Sequence, residues 1–464
     1  MSDSDDYDVI VIGGGAVGEN AAARAVEQGL SAALVETELL GGECSYWACI
    51  PSKVLLRPGE ALAAARAVPA AAAAITGEVD AATALSSRDA FAKPDDTGQA
   101  EWVADAGITL VRGHGRLDGE RRVTVATPDG ATRTLTASRA VVLATGSRAS
   151  IPPVPGLAEA APWDNRDATQ ATKIPRRLGV IGGGVSGAEL AQAFKRLGSQ
   201  QVTVVEIDDR LLSGEEAFVG QDVGRGLADD GVDVRLRASL DRVERPEPDA
   251  PATLWLGEEA VEVDEVLVAA GRRAITDDVG LATVGLEPGG YLDVDDRLRV
   301  TGVEGAWLYA VGDVNGRNLL THMGKYQARL AGDVIAGRDQ RAWADHHANT
   351  RVVFTDPQVA AVGLTEPDAR EAGLAVRTVD VGTVANAGGA LLGKGYFGTS
   401  KLVIDADRDV IVGATFTGPG VGEMLHAATT AVVGEIPLAR LWHAVPAFPT
   451  VSELWLRLLE EAGL

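Results

Sequence analysis

Short apolar runs followed at once by glycines set the rhythm of this chain. Asp8 to Ile12 reads as a strand, Gly13-Gly14-Gly15-Ala16-Val17-Gly18 as a turn, and the alanine-rich run behind it as a helix. A second strand, Ala32 to Val35, ends at Glu36. The unit then recurs: Leu178 to Ile181, Gly182-Gly183-Gly184-Val185-Ser186-Gly187, a helix through Leu197, and Val202 to Val205 ending at Glu206. In this order a bare backbone can approach a pyrophosphate at a helix N-terminus. The acid about 20 residues on can then hold a ribose hydroxyl pair. A glycine turn alone also serves packing; two complete units predict two bound dinucleotides.

From Ala348 the pattern changes. Val352 to Thr365 and Lys401 to Thr417 alternate as half-buried antiparallel strands do, and helical runs follow at Gly422 to Val433 and Ser452 to Ala462. A length of 464 residues accommodates roughly three domains. The net charge of −24 opposes phosphate backbones and anionic lipid, so neither nucleic acid nor membrane is an expected partner. The alanine-rich stretch Ala61 to Ile75 contains Arg66 and Pro69 and is too short and weakly apolar to span a bilayer. Met1 to Asp8 is acidic and runs straight into the first strand and turn, unlike a signal peptide. A soluble cytoplasmic protein is expected.

The only two cysteines, Cys44 and Cys49, lie in Gly41 to Lys53, which reads GGECSYWACIPSK. On a helix with a slight bend their sulfurs come within bonding reach. Two buried apolar thiols is the plain alternative. Spending every cysteine on one segment, with Pro51 placed to bend or restart a helix, favours a catalytic disulfide.

This segment closely resembles the redox centre of the FAD-dependent pyridine nucleotide–disulfide oxidoreductases, among them dihydrolipoamide dehydrogenase, glutathione and mycothione reductases and mercuric reductase. The resemblance runs from the N-terminus to the last helix. Val141 to Ser147 (VVLATGS) and Val266 to Arg272 (VLVAAGR) resemble the crossovers closing the two nucleotide domains, and Tyr309 to Gly316 (YAVGDVNG) the late FAD motif.

The resemblance implies an α/β fold with two Rossmann-like dinucleotide-binding domains and a C-terminal α+β interface domain. The implied order is an FAD domain over 1–150, a nicotinamide domain over 151–275, a second FAD/central part over 276–345 and the interface domain over 346–464. It further implies a homodimer in which each subunit completes the other's site. FAD is expected at Gly13, Gly15, Gly18, Glu36, Gly42, Lys53, Gly115, Thr145, Gly146 and Asp313, with Asp313 accepting a ribityl hydroxyl and Lys53 tuning the flavin beside a flavin-associated glutamate. The nicotinamide cofactor is expected at Gly182, Gly184, Gly187, Glu189, Glu206 and Gly271, with Glu189 near the nicotinamide. A carboxylate at Glu206 repels a 2′-phosphate, and a glycine at Gly187 agrees, so NADH is favoured over NADPH, although Arg210 nearby softens the exclusion. Cys49 would face the flavin as a thiolate and Cys44 would attack substrate.

One departure stands out. Thiol-active family members carry a C-terminal His-Pro-Thr, with a glutamate five residues after the histidine to orient it. This chain reads Ala447-Phe448-Pro449-Thr450-Val451-Ser452-Glu453, so Phe448 replaces the base while Glu453 remains. A positioned base contributes about 10²- to 10⁴-fold. His443, five residues upstream, is a poor substitute because small misplacements already harm catalysis. His346 and His347 read as surface or linker residues, and no metal site is expected.

Mercuric reductase has a tyrosine there and an added C-terminal cysteine pair, whereas this chain ends ELWLRLLEEAGL. The ketopropyl-coenzyme M carboxylase branch has phenylalanine but also replaces the glutamate. The expected activity is therefore transfer of electrons from NADH through FAD to a Cys44–Cys49 disulfide and on to an unidentified small-molecule acceptor. Three alternatives stay open: a flavin diaphorase or quinone reductase with idle cysteines, a thioether-cleaving enzyme, and a binding protein that no longer turns over.

Overall fold

The computed structural model describes residues 5–248 and 250–464, so the first four residues of the acidic opening lie outside the described residues. The chain divides into two compact units, one built from residues 1–50, 92–148 and 272–345, the other from residues 51–91, 149–271 and 346–464.

The first unit is built around a seven-stranded sheet. Its order is Thr109–Arg112, Ala32–Glu36, Asp6–Ile12, Thr132–Leu143, Arg122–Ala126 and His114–Leu117, and Leu308–Ala310 pairs the long strand in parallel. Asp6–Ile12 lies parallel to both neighbours, with Val11 opposite Leu34 and Val142. Successive side chains face opposite sides of the pleat. Val9 and Val11 therefore meet Ala21, Ala25 and Ala328 of the helices Ala16–Glu27 and Thr321–Ile335. Ile10 and Ile12 join Leu117, Val123 and Leu135 on the other side. Both faces being covered is why this strand is an unbroken apolar run. The two helices approach closely: a Cβ on Gly324 would lie 2.6 Å from Val17 Cγ2.

The second unit holds three sheets. A parallel one runs Asp233–Arg235, Gln201–Val205, Arg177–Ile181, Glu265–Val268, repeating the first unit's strand–turn–helix–strand order. A three-stranded antiparallel sheet comprises Arg242–Glu244, Ala252–Leu256 and Glu259–Val263. A five-stranded antiparallel sheet follows the order Thr350–Val353, Gln358–Gly363, Val410–Gly418, Thr399–Asp405, Val376–Gly382.

The last sheet corrects the sequence reading. Thr399–Asp405 and Val410–Gly418 are buried almost throughout, where alternation predicted one wet face. Helix Val421–Val433 packs on Gln358–Gly363 and Val410–Gly418. The terminal helix Leu454–Glu461 contacts Val376–Gly382 and Thr399–Asp405, and the Trp455 ring meets that of Phe416 edge-on at 6.0 Å. Among the described residues no helix is long and apolar enough to cross a membrane.

Candidate functional site

The first unit carries the first glycine turn and both cysteines. Gly13 has φ +103°, and a Cβ there would sit 2.4 Å from the Ala144 carbonyl oxygen. A Cβ on Gly18 would lie 1.8 Å from the Gly13 oxygen, so helix and turn approach as only glycine permits. Glu36 closes the turn: Gly14 N–H donates to one carboxylate oxygen and Glu38 N–H to the other, each at 2.6 Å. Burial pushes the Glu36 carboxyl above its usual range, against those backbone donors.

Asp313 is half-buried, and desolvation holds its carboxyl up against two partners. Ser147 Oγ–H donates to it at 2.5 Å, and Arg272 Nε–H donates to that same Ser147 oxygen at 2.7 Å. Thr145 spends its hydroxyl on the Ile275 carbonyl at 2.7 Å, fastening the crossover, and Gly146 beside it has φ +74° with open space around it. Gly115 lies in His114–Leu117 against Val35 and Ile12, where a Cβ would be 3.0 Å from Val35 Cγ1. A cradle of glycines at a helix N-terminus, with a half-buried carboxyl in the turn after the strand Leu308–Ala310, fits an FAD.

Gly42–Tyr46 is one short helix, Trp47 ends it, and a second helix starts at Cys49 and runs to Ala67. The expected slight bend is therefore a full break. The two sulfurs are not joined in a disulfide. The Cys49 sulfur lies 3.3 Å from the Thr321 hydroxyl, at the first residue of the helix Thr321–Ile335. The Cys44 thiol is pushed up, first by its hydrogen bond to Cys49, then by burial and the Cys49 charge, with Thr321 and Lys325 opposing. The Cys49 sulfur lies at the positive end of a helix, which favours negative charge there. Neither Thr321 nor Lys325 was singled out from the sequence; both stand one helix after the YAVGDVNG motif.

The second unit carries the other turn. Gly182 has φ +107°, and a Cβ on Gly187 would lie 1.9 Å from the Gly182 oxygen. Glu206 repeats the role of Glu36, accepting Gly183 N–H at 2.5 Å and Asp208 N–H at 2.8 Å. Arg210 donates to the Ser213 carbonyl at 2.6 Å. Gly184 has open space around it, and Gly271 adopts φ +127°.

Lys53 meets a glutamate within this unit: its ammonium donates to buried Glu189 at 2.7 Å, and the other Glu189 oxygen accepts Phe354 N–H at 2.9 Å. The resemblance treated Lys53 and Glu189 separately, and the structure pairs them.

Phe448 is 74% exposed and precedes a cis proline, Pro449. Thr450 Oγ–H donates to the Ala447 carbonyl at 2.6 Å, and a Cβ on Gly388 would strike the Thr450 backbone at 2.1 Å, so this loop is held against its own unit. Glu453 keeps one carboxylate oxygen buried with no hydrogen-bond partner among the described residues. His443 is exposed.

Comparison with known proteins bears on what this arrangement does. The family model described as pyridine nucleotide-disulphide oxidoreductase matches residues 7–329, and that family's dimerisation domain matches residues 350–458. A dihydrolipoyl dehydrogenase of Chlorobaculum tepidum is 33% identical over 455 residues, covering 96% of this chain and 95% of the relative. A mercuric reductase of Bacillus cereus is 30% identical over 455 residues, covering 97% of this chain and 70% of the relative. Among solved structures, LpdA of Mycobacterium tuberculosis superposes with a TM-score of 0.86 at 24% identity, over 98% of this chain and 99% of that one. The HOCl-induced flavoprotein disulfide reductase RclA of Escherichia coli, as its Cu(II) complex, gives 0.84 at 23% identity over 99% of each.

Proposed function

We propose, since this chain belongs to the pyridine nucleotide-disulphide oxidoreductase family, that it takes electrons from NADH through FAD into a Cys44–Cys49 disulfide and delivers them to a small acceptor as a homodimer. The enzyme class, an NAD(P)H-dependent flavin disulfide oxidoreductase, follows from the family. The single observation carrying the finer reading is the Cys49 sulfur, 3.3 Å from the Thr321 hydroxyl at a helix N-terminus, in the unit that holds the first dinucleotide cradle.

FAD in that cradle supplies the two-electron relay between nicotinamide and disulfide. Once the pair is reduced, Cys49 holds the negative charge and Cys44 is the attacking sulfur. With a disulfide acceptor, Cys44 hands its proton to Cys49 and as thiolate attacks one sulfur; the other is expelled and takes up that proton, leaving a mixed disulfide. Cys49 then attacks Cys44, re-forming their bond and releasing the second thiolate. Two electrons leave, and the released thiolates take their protons elsewhere than from residue 448, because a phenyl ring holds none. Acceptors whose leaving sulfur is already acidic, quinones and metal ions suit that chemistry. The preference for NADH rests on the Glu206 carboxylate at the end of the second unit's strand. The dimer rests on the dimerisation-domain match and on bare apolar side chains at Val445 and Phe448.

Phe448 also favours a second reading, a quinone reductase whose cysteines stand idle. NADH oxidation with the Cys44→Ser variant separates the two. Turnover on disulfides and quinones that falls by about 10³-fold or more supports the disulfide route. Quinone turnover at the wild-type rate supports the second reading.

A further inference from the structure

Glu19 is an acid of the first cradle to which the flavin reading gives no work. It follows Gly18 directly and sits in the first turn of the helix Ala16–Glu27, its own N–H bonded to the Gly15 carbonyl at 3.1 Å. One of its carboxyl oxygens is fully buried and meets no hydrogen-bond partner among the described residues. The charged groups facing it are Glu36 on the neighbouring strand, Asp96 ahead of the helix Thr97–Asp105, and Lys325 on Thr321–Ile335. The Tyr46 phenol, on the cysteine-bearing short helix, faces it as well.

The two neighbouring acids are provided for. Glu36 takes two backbone N–H groups, and Asp96 takes Leu40 N–H at 2.8 Å and the Arg112 guanidinium at 2.6 Å. Among the described residues the buried Glu19 oxygen has no such donor, and Lys325 is the cation that faces it. A buried carboxylate with an unsatisfied oxygen is far costlier than the same group as a neutral acid. Burial, with Glu36 and Asp96 adding to it, pushes the Glu19 carboxyl up to about 7, Lys325 opposing.

The turn glycines beside it are where a dinucleotide places its doubly negative pyrophosphate. Next to that dianion an ionised Glu19 repels, whereas a protonated Glu19 has an O–H to donate. We propose that Glu19 is a flavin-binding residue that meets the FAD pyrophosphate as a neutral acid, so that FAD binding takes up one proton. The inference rests on the flavin reading of the first cradle and adds a residue and a pH dependence to it.

The test is equilibrium release of FAD from diluted holoenzyme between pH 6 and 9, read as recovery of flavin fluorescence. The FAD dissociation constant should be level below about pH 7 and then rise about tenfold per pH unit. Glu19→Gln, permanently neutral and still a donor, should stay level to pH 9. A level wild type overturns the proposal, and so does a Gln variant that keeps the slope. Should that variant fail to fold, Lys325→Met decides, because loss of that cation must move the onset to higher pH; an unmoved or lowered onset overturns the proposal. A protein that holds no FAD at any pH overturns the flavin reading itself, an outcome distinct from tight binding that ignores pH.

Discussion

Lys53 and Glu189, 136 residues apart, form an ion pair at 2.7 Å in which the Glu189 side chain is 3% exposed. The helix Cys49–Ala67 is thereby tied to the helix Val185–Arg196 that follows the second glycine turn. Lys53→Met leaves a buried carboxylate with only the Phe354 N–H and should cost about 3 kcal/mol, read from the urea midpoint of the holoenzyme. Lys53→Met combined with Glu189→Leu should recover most of it. A double variant no more stable than Lys53→Met would show that the pair is not what binds the two helices.

Phe448→His puts a proton carrier five residues before Glu453, whose buried oxygen is a ready acceptor for an imidazole N–H. Reduction of lipoamide or mycothione should rise about 10²-fold or more in steady-state NADH oxidation. Adding Glu453→Gln should remove most of the gain. No gain with histidine would mean that the pocket, and not only the base, has changed.

Gly187→Ala forces a methyl carbon toward the Gly182 oxygen, where an ideal Cβ lies at 1.9 Å. The second turn must open while the first is untouched. NADH should bind about tenfold or more weakly with the flavin content unchanged, measured by rapid-reaction flavin reduction against NADH concentration. Loss of flavin alongside NADH would show that the two cradles are not independent.

Lys401 is buried between Glu216 at 3.2 Å and Glu366 at 2.5 Å. Its hydrogen bond, then that of Arg370, holds the Glu366 carboxyl below the usual range. That stabilisation is present above the unfolded carboxyl pKa and is lost as pH falls through the folded one. Asp380 nearby is pushed up by burial, and Lys401 counteracts this, so removing Lys401 makes ionised Asp380 costlier as pH rises. Lys401→Met should therefore cost about 3 kcal/mol at pH 7 and distinctly less at about pH 3, below the ordinary carboxylate range, by urea unfolding. An equal loss at both values would contradict the charge account.

What the sequence determined by itself was everything written in contiguous residues. The two glycine turns with their strands, helices and closing acids, the cysteine pair and the phenylalanine at position 448 are local patterns, and local backbone chemistry decides them. The tertiary structure decided which distant groups meet. Cys49 finds Thr321, Lys53 finds Glu189, and Glu19 gathers Glu36, Asp96 and Lys325, because packed helices and paired strands bring together residues separated by tens to hundreds of positions. It also decided burial. The strands Thr399–Asp405 and Val410–Gly418 alternate in sequence yet lie buried almost throughout, since the helices Val421–Val433 and Leu454–Glu461 pack on this sheet, and no pattern within one strand records what packs on it.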